Sequence, residues 1–170
     1  MEIYPQQPKR IWWARPRKLC ALERPGGGGR SHRPERRDAE LAYLMEKGVW
    51  LVVSTMRTRH LLATYDALGL DWHHVPVEST EDAADQLDEV VPLLRRDLRR
   101  RGALAVHGDR YTDFVAAVCA AHLHDIRGVD PAESLLEAGR AGLTVTPAAC
   151  ALLGVEPEAV KLDVPAAWRR

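Results

Sequence analysis

Cysteine is scarce in this chain. Its 170 residues hold three, Cys20, Cys119 and Cys150. They lie far apart, without metal-ligand spacing, which argues against a disulfide framework and suits a reducing compartment. Cys119 falls within a helical pattern and Cys150 in an apolar run, so both read as small core residues. No apolar stretch approaches the roughly twenty residues that span a bilayer. The opening Met1–Pro8 lacks the apolar centre of a signal peptide. Net charge is missing too: Lys+Arg 24 balance Asp+Glu 24, so no global field favours nucleic acid or anionic lipid. The expectation is a soluble, cytoplasmic protein with no nucleic-acid and no membrane partner. The sequence leaves its oligomeric state open.

What is present is ordinary for a globular domain: 46% apolar and 28% charged residues, in a length that suits one domain with a proper core. Charge is uneven, since the first forty residues are rich in Arg and Lys while 78–89 is acidic. That asymmetry reads as a solvated surface, with Arg stems packed over apolar neighbours. Residues 1–10 read as a flexible leader, 11–154 as the domain and 155–170 as a loosely attached C-terminal tail.

Within the domain, Ile11–Ala14 and Lys18–Leu22 suit two early strands. The glycine-rich Arg24–Ser31 reads as a mobile loop, because the next helix signal starts too late behind it to cradle phosphate. Pro34–Lys47 predicts a helix with Pro at its first turn and Gly48 closing it. Val49–Val53 is a continuous apolar run, typical of a strand covered on both faces. Arg57–Leu68 predicts a helix, Leu70–Val77 contains a strand, and Thr80–Arg101 predicts a long helix kinked or broken at Pro92. Leu104–Val106 is a further strand, and Pro131–Arg140 and Thr146–Leu153 are late helices, the last capped by Thr146. This alternation predicts an α/β fold, a central, mostly parallel sheet with helices on both faces.

The chain is organised around His107–Asp113, a tight loop from the end of a buried strand to an Ala-rich buried helix, Val115–Leu123. Such a loop aims unpaired N–H groups and the positive end of a helix dipole at one point, as anion sites do. At the carboxyl end of a parallel strand it also occupies the usual ligand position of an α/β sheet.

That loop resembles the active-site loop of the cysteine-dependent tyrosine and dual-specificity phosphatases: strand, His-Cys, five residues, Arg, buried helix. The resemblance to the bacterial dual-specificity enzymes extends along the chain. Trp13–Val53 looks like their Trp-containing strand, Arg-Pro-Gly stretch and helix into Gly-Val-Val-Val. His74–Ser79 looks like the strand leading to the general acid. Gly128–Leu135 and Thr146-Pro147 look like their late segments. The resemblance implies a dual-specificity-phosphatase-like fold. It also places Gly108 at the nucleophile, Phe114 at the phosphate-holding Arg and Ser79 at the general acid, which excludes hydrolysis by that route.

Two readings of the altered cleft stand open. In one, the chain is a pseudophosphatase that binds a small-molecule ligand or a protein segment, with Gly108, Arg110, Thr112, Phe114, Ser79 and Glu78 facing it. In the other it is a repurposed enzyme acting on a small metabolite, with Asp109 or Asp113 as base and His107 or Tyr111 as acid. Trp13, Trp72 and Phe114 are candidate walls of such a pocket. Neither reading requires a cofactor or a metal. His73 and His74 point to opposite faces of a strand, and His122 and His124 face apart on a helix.

Overall fold

A strand that is buried along its whole length, β5 (Ala103–His107), forms the middle of the molecule. Its alternating side chains have helices to pack against above and below, which is why the run Ala-Leu-Ala-Val-His contains no exposed position. The computed structural model describes residues 2–160. The sheet has five strands in the order β1 (Ile11–Arg15), β2 (Leu19–Leu22), β5, β3 (Val49–Ser54), β4 (Asp71–His74). Only the β1–β2 hairpin is antiparallel. In register, His107 lies between Leu22 of β2 and Ser54 of β3. The loops leaving these three strands therefore meet at one edge of the sheet.

Period-two alternation divides the core. Leu19, Ala21, Leu51, Val53, Leu104 and Val106 face α3 (Ala84–Asp97), α4 (Asp113–Arg127), α5 (Pro131–Arg140) and α6 (Pro147–Leu152). Cys20, Leu22, Val52 and Ala105 face α1 (Pro34–Glu46) and α2 (Leu62–Leu68). Ten of the fifteen residues of α4 are buried, and its small Ala side chains let sheet and neighbouring helices approach it closely. Cys20, Cys119 and Cys150 are all buried in these cores.

Several local expectations are corrected. The second helix begins at Leu62, because residues 57–60 cross the sheet edge as an exposed loop. Pro92 neither breaks nor divides α3: its side is exposed, so water can serve the carbonyl that loses its partner, while Leu87, Val90 and Leu94 hold the buried stripe. Residues 155–160 are not loose. Val155 N–H donates to the Cys150 carbonyl at 2.9 Å, and Val160 is buried in the core. The remainder of the expected tail, 161–170, lies outside the described residues. Part of the leader is fastened as well, by Gln6 N–H on the Ala39 carbonyl at 3.0 Å and by a buried Pro8. No helix among the described residues is long and apolar enough to cross a membrane.

Candidate functional site

The loop from β5 to α4 is built on a sealed histidine. His107 is 0% exposed. Its Nδ1 lies 2.7 Å from the Gly108 carbonyl and its Nε2 2.7 Å from the Tyr65 hydroxyl. A carbonyl only accepts, so Nδ1 carries the proton and Nε2 accepts from Tyr65. Burial pushes the imidazole pKa down to about 4, and no solvent path reaches it. The His107 carbonyl accepts twice from Thr55, from N–H at 2.9 Å and from the hydroxyl at 3.0 Å. These bonds fix the start of the loop from both neighbouring elements.

Gly108 follows, and its lack of a side chain is required. A β-carbon there would stand 2.7 Å from the carbonyl oxygen of Tyr111 and 3.5 Å from Thr55 Oγ1. The loop thus turns a backbone carbonyl into the space that a side chain at 108 would enter.

The glycine-rich segment, expected to be mobile, is a packed brace. Residues 24–28 are buried. Arg24 N–H donates to the Asp109 carbonyl at 3.1 Å and Gly29 N–H to Asp109 Oδ1 at 3.0 Å. A β-carbon on Gly28 would collide with the Arg110 Cα and stand 2.6 Å from the Asp109 carbonyl. Glycine here serves close backbone approach, not freedom of motion. The brace is anchored behind by the buried Glu40, which accepts from Gly26 N–H at 2.8 Å and from Arg36 Nε at 2.6 Å. Arg24 itself is buried, with Nη2 2.6 Å from His60 Nδ1 and Nη1 3.8 Å from Asp109 Oδ1.

The other loop residues separate. Tyr111 is 67% exposed, with the Arg110 guanidinium 5.6 Å from its ring centre. Thr112 is buried and its hydroxyl oxygen accepts from Thr144 N–H at 2.7 Å. Asp113, 6% exposed, accepts at Oδ2 from the Thr146 hydroxyl at 2.8 Å. Phe114 is buried against the core beneath the loop. Across from them, Glu78 pairs in the open with Arg57 at 2.9 Å, and the Ser79 hydroxyl donates to Asp82 at 3.2 Å.

Between these walls runs a groove of about 1670 Å³, lined by Asp109, Arg110, Tyr111, Asp113 and Phe114 on one side and by Val77–Glu81 on another. Its remaining surface is mainly apolar: Leu135, Leu136 and Gly139 of α5, Leu143, Val145, Pro147 and Val160. Of the expected site residues, Gly108, Asp109, Arg110, Tyr111, Asp113, Phe114, Glu78 and Ser79 border this space, whereas His107 and Thr112 do not. Trp13 and Trp72 are corrected as walls, since both pack on the opposite core with α1 and α2. His73 pairs with Asp97 at 2.9 Å and His74 bonds the Met56 carbonyl at 2.8 Å, so neither reaches the groove. Among the described residues no three His, Cys, Asp or Glu side chains gather as a metal site. Sequence reasoning missed Arg24, Gly28, Thr55 and Tyr65. The glycine run was the visible signal for the brace.

The fold is that of the dual-specificity phosphatases: a mostly parallel sheet with a short loop between its central strand and a buried helix. Comparison of the sequence with protein-family models and with curated proteins gives no match. Solved structures do match by fold. Human DUSP28 superposes with a TM-score of 0.64 at 22% identity, over 89% of this chain and 94% of that one. Tk-PTP in its active form gives 0.60 at 18% identity, over 85% and 92%. Kinase-associated phosphatase with its catalytic-site cysteine substituted by serine gives 0.62 at 17% identity, over 79% and 83%.

Proposed function

We propose that this chain is a non-catalytic binding module on the phosphatase fold, holding a segment of a partner protein in the groove beside the β5–α4 loop. The observation that carries the reading is the 2.7 Å between the Tyr111 carbonyl and the β-carbon position of Gly108. Position 108 has no nucleophile and no room for one. Covalent phosphoryl transfer loses its route, not merely a fraction of its rate, when the nucleophile is absent. The three thiols are buried elsewhere and held protonated by burial, with pKa values pushed up. Phe114 supplies no charge to grip phosphate, and the Ser79 hydroxyl is a poor acid near neutral pH.

The arrangement favours binding over a repurposed acid–base enzyme. His107 lies sealed under the loop, Tyr111 points to solvent, and Asp109 is tied to the brace. The groove volume, about 1670 Å³, also exceeds the roughly 300–1,000 Å³ of typical small-molecule pockets. An extended peptide with apolar side chains matches its size and walls.

p-Nitrophenyl phosphate hydrolysis is expected to stay at the buffer rate; turnover abolished by Asp109→Asn or Ser79→Ala would overturn the reading. Selection of displayed ten-residue peptides on the full chain is expected to yield binders that Val145→Glu rejects. An empty selection would equally count against it.

A further inference from the structure

We infer that the segment taken by the groove is cationic, a Lys or Arg flanked by apolar side chains, with its charged head seated at Asp113. This rests on the groove being a peptide site, and it reverses the sign of charge expected from the strand–loop–helix frame. The N-terminus of α4 supplies roughly half a positive charge. Asp113, the first residue of that helix, places a full carboxylate on the same spot. The sum is negative.

Burial decides which groove charges matter. Arg110 and Arg140 are exposed, so solvent and salt screen them. Arg57 is paired with Glu78, and Arg24 is held between His60 and Asp109. Asp113 is 6% exposed, and only its Oδ2 is engaged, by Thr146 at 2.8 Å. Among the described residues no donor is bonded to its Oδ1, and its side chain borders the groove. Tyr111, whose carbonyl turns toward the β-carbon position of Gly108, lines the same groove. Beside them stand the apolar walls Phe114, Leu143 and Val145.

This pairing suits a long amphipathic side chain, whose methylene stem covers apolar surface while its head meets the carboxylate. It disfavours a phosphorylated segment, because a second anion beside a largely buried carboxylate is repelled.

The test uses the full chain and four fluorescein-labelled ten-residue peptides of Leu, Phe and Ala, identical except at one central position. That position carries Arg, norleucine, Glu or phosphotyrosine. Fluorescence anisotropy is expected to rank Arg at least roughly tenfold tighter than norleucine, the worth of one charge-assisted hydrogen bond, with Glu and phosphotyrosine weakest. The preference should shrink as salt rises, and vanish in Asp113→Asn, which retains an acceptor for Thr146.

Equal binding of all four peptides would overturn the charge inference and leave the peptide-groove reading standing. No binding by any, by the unaltered chain and after Trp168, Arg169 and Arg170 are changed to Ala alike, would remove both. Tightest binding by phosphotyrosine would show that the helix dipole outweighs Asp113 and overturn the inference. Binding that emerges only after Trp168, Arg169 and Arg170 are changed to Ala would assign the groove to the chain's own C-terminal segment, overturning a partner in trans. If Asp113→Asn melts early, the ranking on the unaltered chain and its salt dependence decide alone.

Discussion

The hydroxyl of Tyr65 donates to Nε2 of His107 across 2.7 Å, joining α2 to the central strand in a site closed to water. The imidazole remains neutral there, with a pKa near 4 against an ordinary 6.5. Between those values the unfolded chain binds a proton that the folded chain refuses. The neutral-histidine contribution is therefore complete above pH 6.5 and is lost as pH falls toward 4. It amounts to about 3 kcal/mol at most. Urea unfolding at steps from pH 7 to pH 4 should show this decline, and a flat profile would contradict the buried neutral state.

Tyr65→Phe removes the donor and leaves Nε2 without a partner. The cost is expected to be about 1–3 kcal/mol, the usual penalty for an unsatisfied buried acceptor. Urea midpoints at pH 7 check it. No loss at all would mean that a water or another group replaces the hydroxyl.

Adding a thiol and a guanidinium to this loop should not create a phosphatase. In Gly108→Cys the new β-carbon meets the Tyr111 carbonyl at 2.7 Å, which predicts a loss of about 1–3 kcal/mol by overpacking. Adding Phe114→Arg places a cation at a position that is 4% exposed, and the double variant should be less stable than either single change. p-Nitrophenyl phosphate turnover by the double variant would show that the loop backbone can revert.

Gly28→Ala tests the brace. Its β-carbon enters the space of the Arg110 Cα, so one of the two loops must retreat. The expectation is a loss of about 1–3 kcal/mol together with faster amide exchange at Asp109–Thr112. Unchanged exchange would show that the segments are not in contact.

Thr146 has two tasks: its hydroxyl donates to Asp113 at 2.8 Å and accepts from Ala149 N–H at 3.2 Å as the cap of α6. Thr146→Val removes both and is expected to cost about 1–3 kcal/mol. Thr146→Ser keeps both and should recover most of that. Equal loss in both variants would assign the effect to packing of the methyl group.

Much of the architecture was legible from local pattern. Val49–Val53 and Leu104–Val106 are apolar at every position, which only a doubly covered strand tolerates, and the Ala-rich run after Asp113 suits a helix buried on nearly all sides. Thr146-Pro147 announced its cap correctly. The ends of elements were less legible. Nothing local distinguishes Arg57–His60 from the helix that follows, because its conformation is decided by His60 and Arg57 meeting Arg24 and Glu78 from other loops.

The site divides in the same way. That a strand, a short polar loop and a buried helix follow one another, and that position 108 is a glycine, could be read from residue type and spacing alone. What the glycines are for emerges once the chain is packed. A Gly-rich run has the same composition whether it moves freely or admits another backbone, and the answer for Gly28 lies in Arg110, 82 positions away. Packing also sets the fates of His107, Tyr111 and Asp113. Three polar side chains within seven residues end up sealed, exposed and buried at the groove wall, because each is governed by the element packed against it and not by its neighbours in the chain.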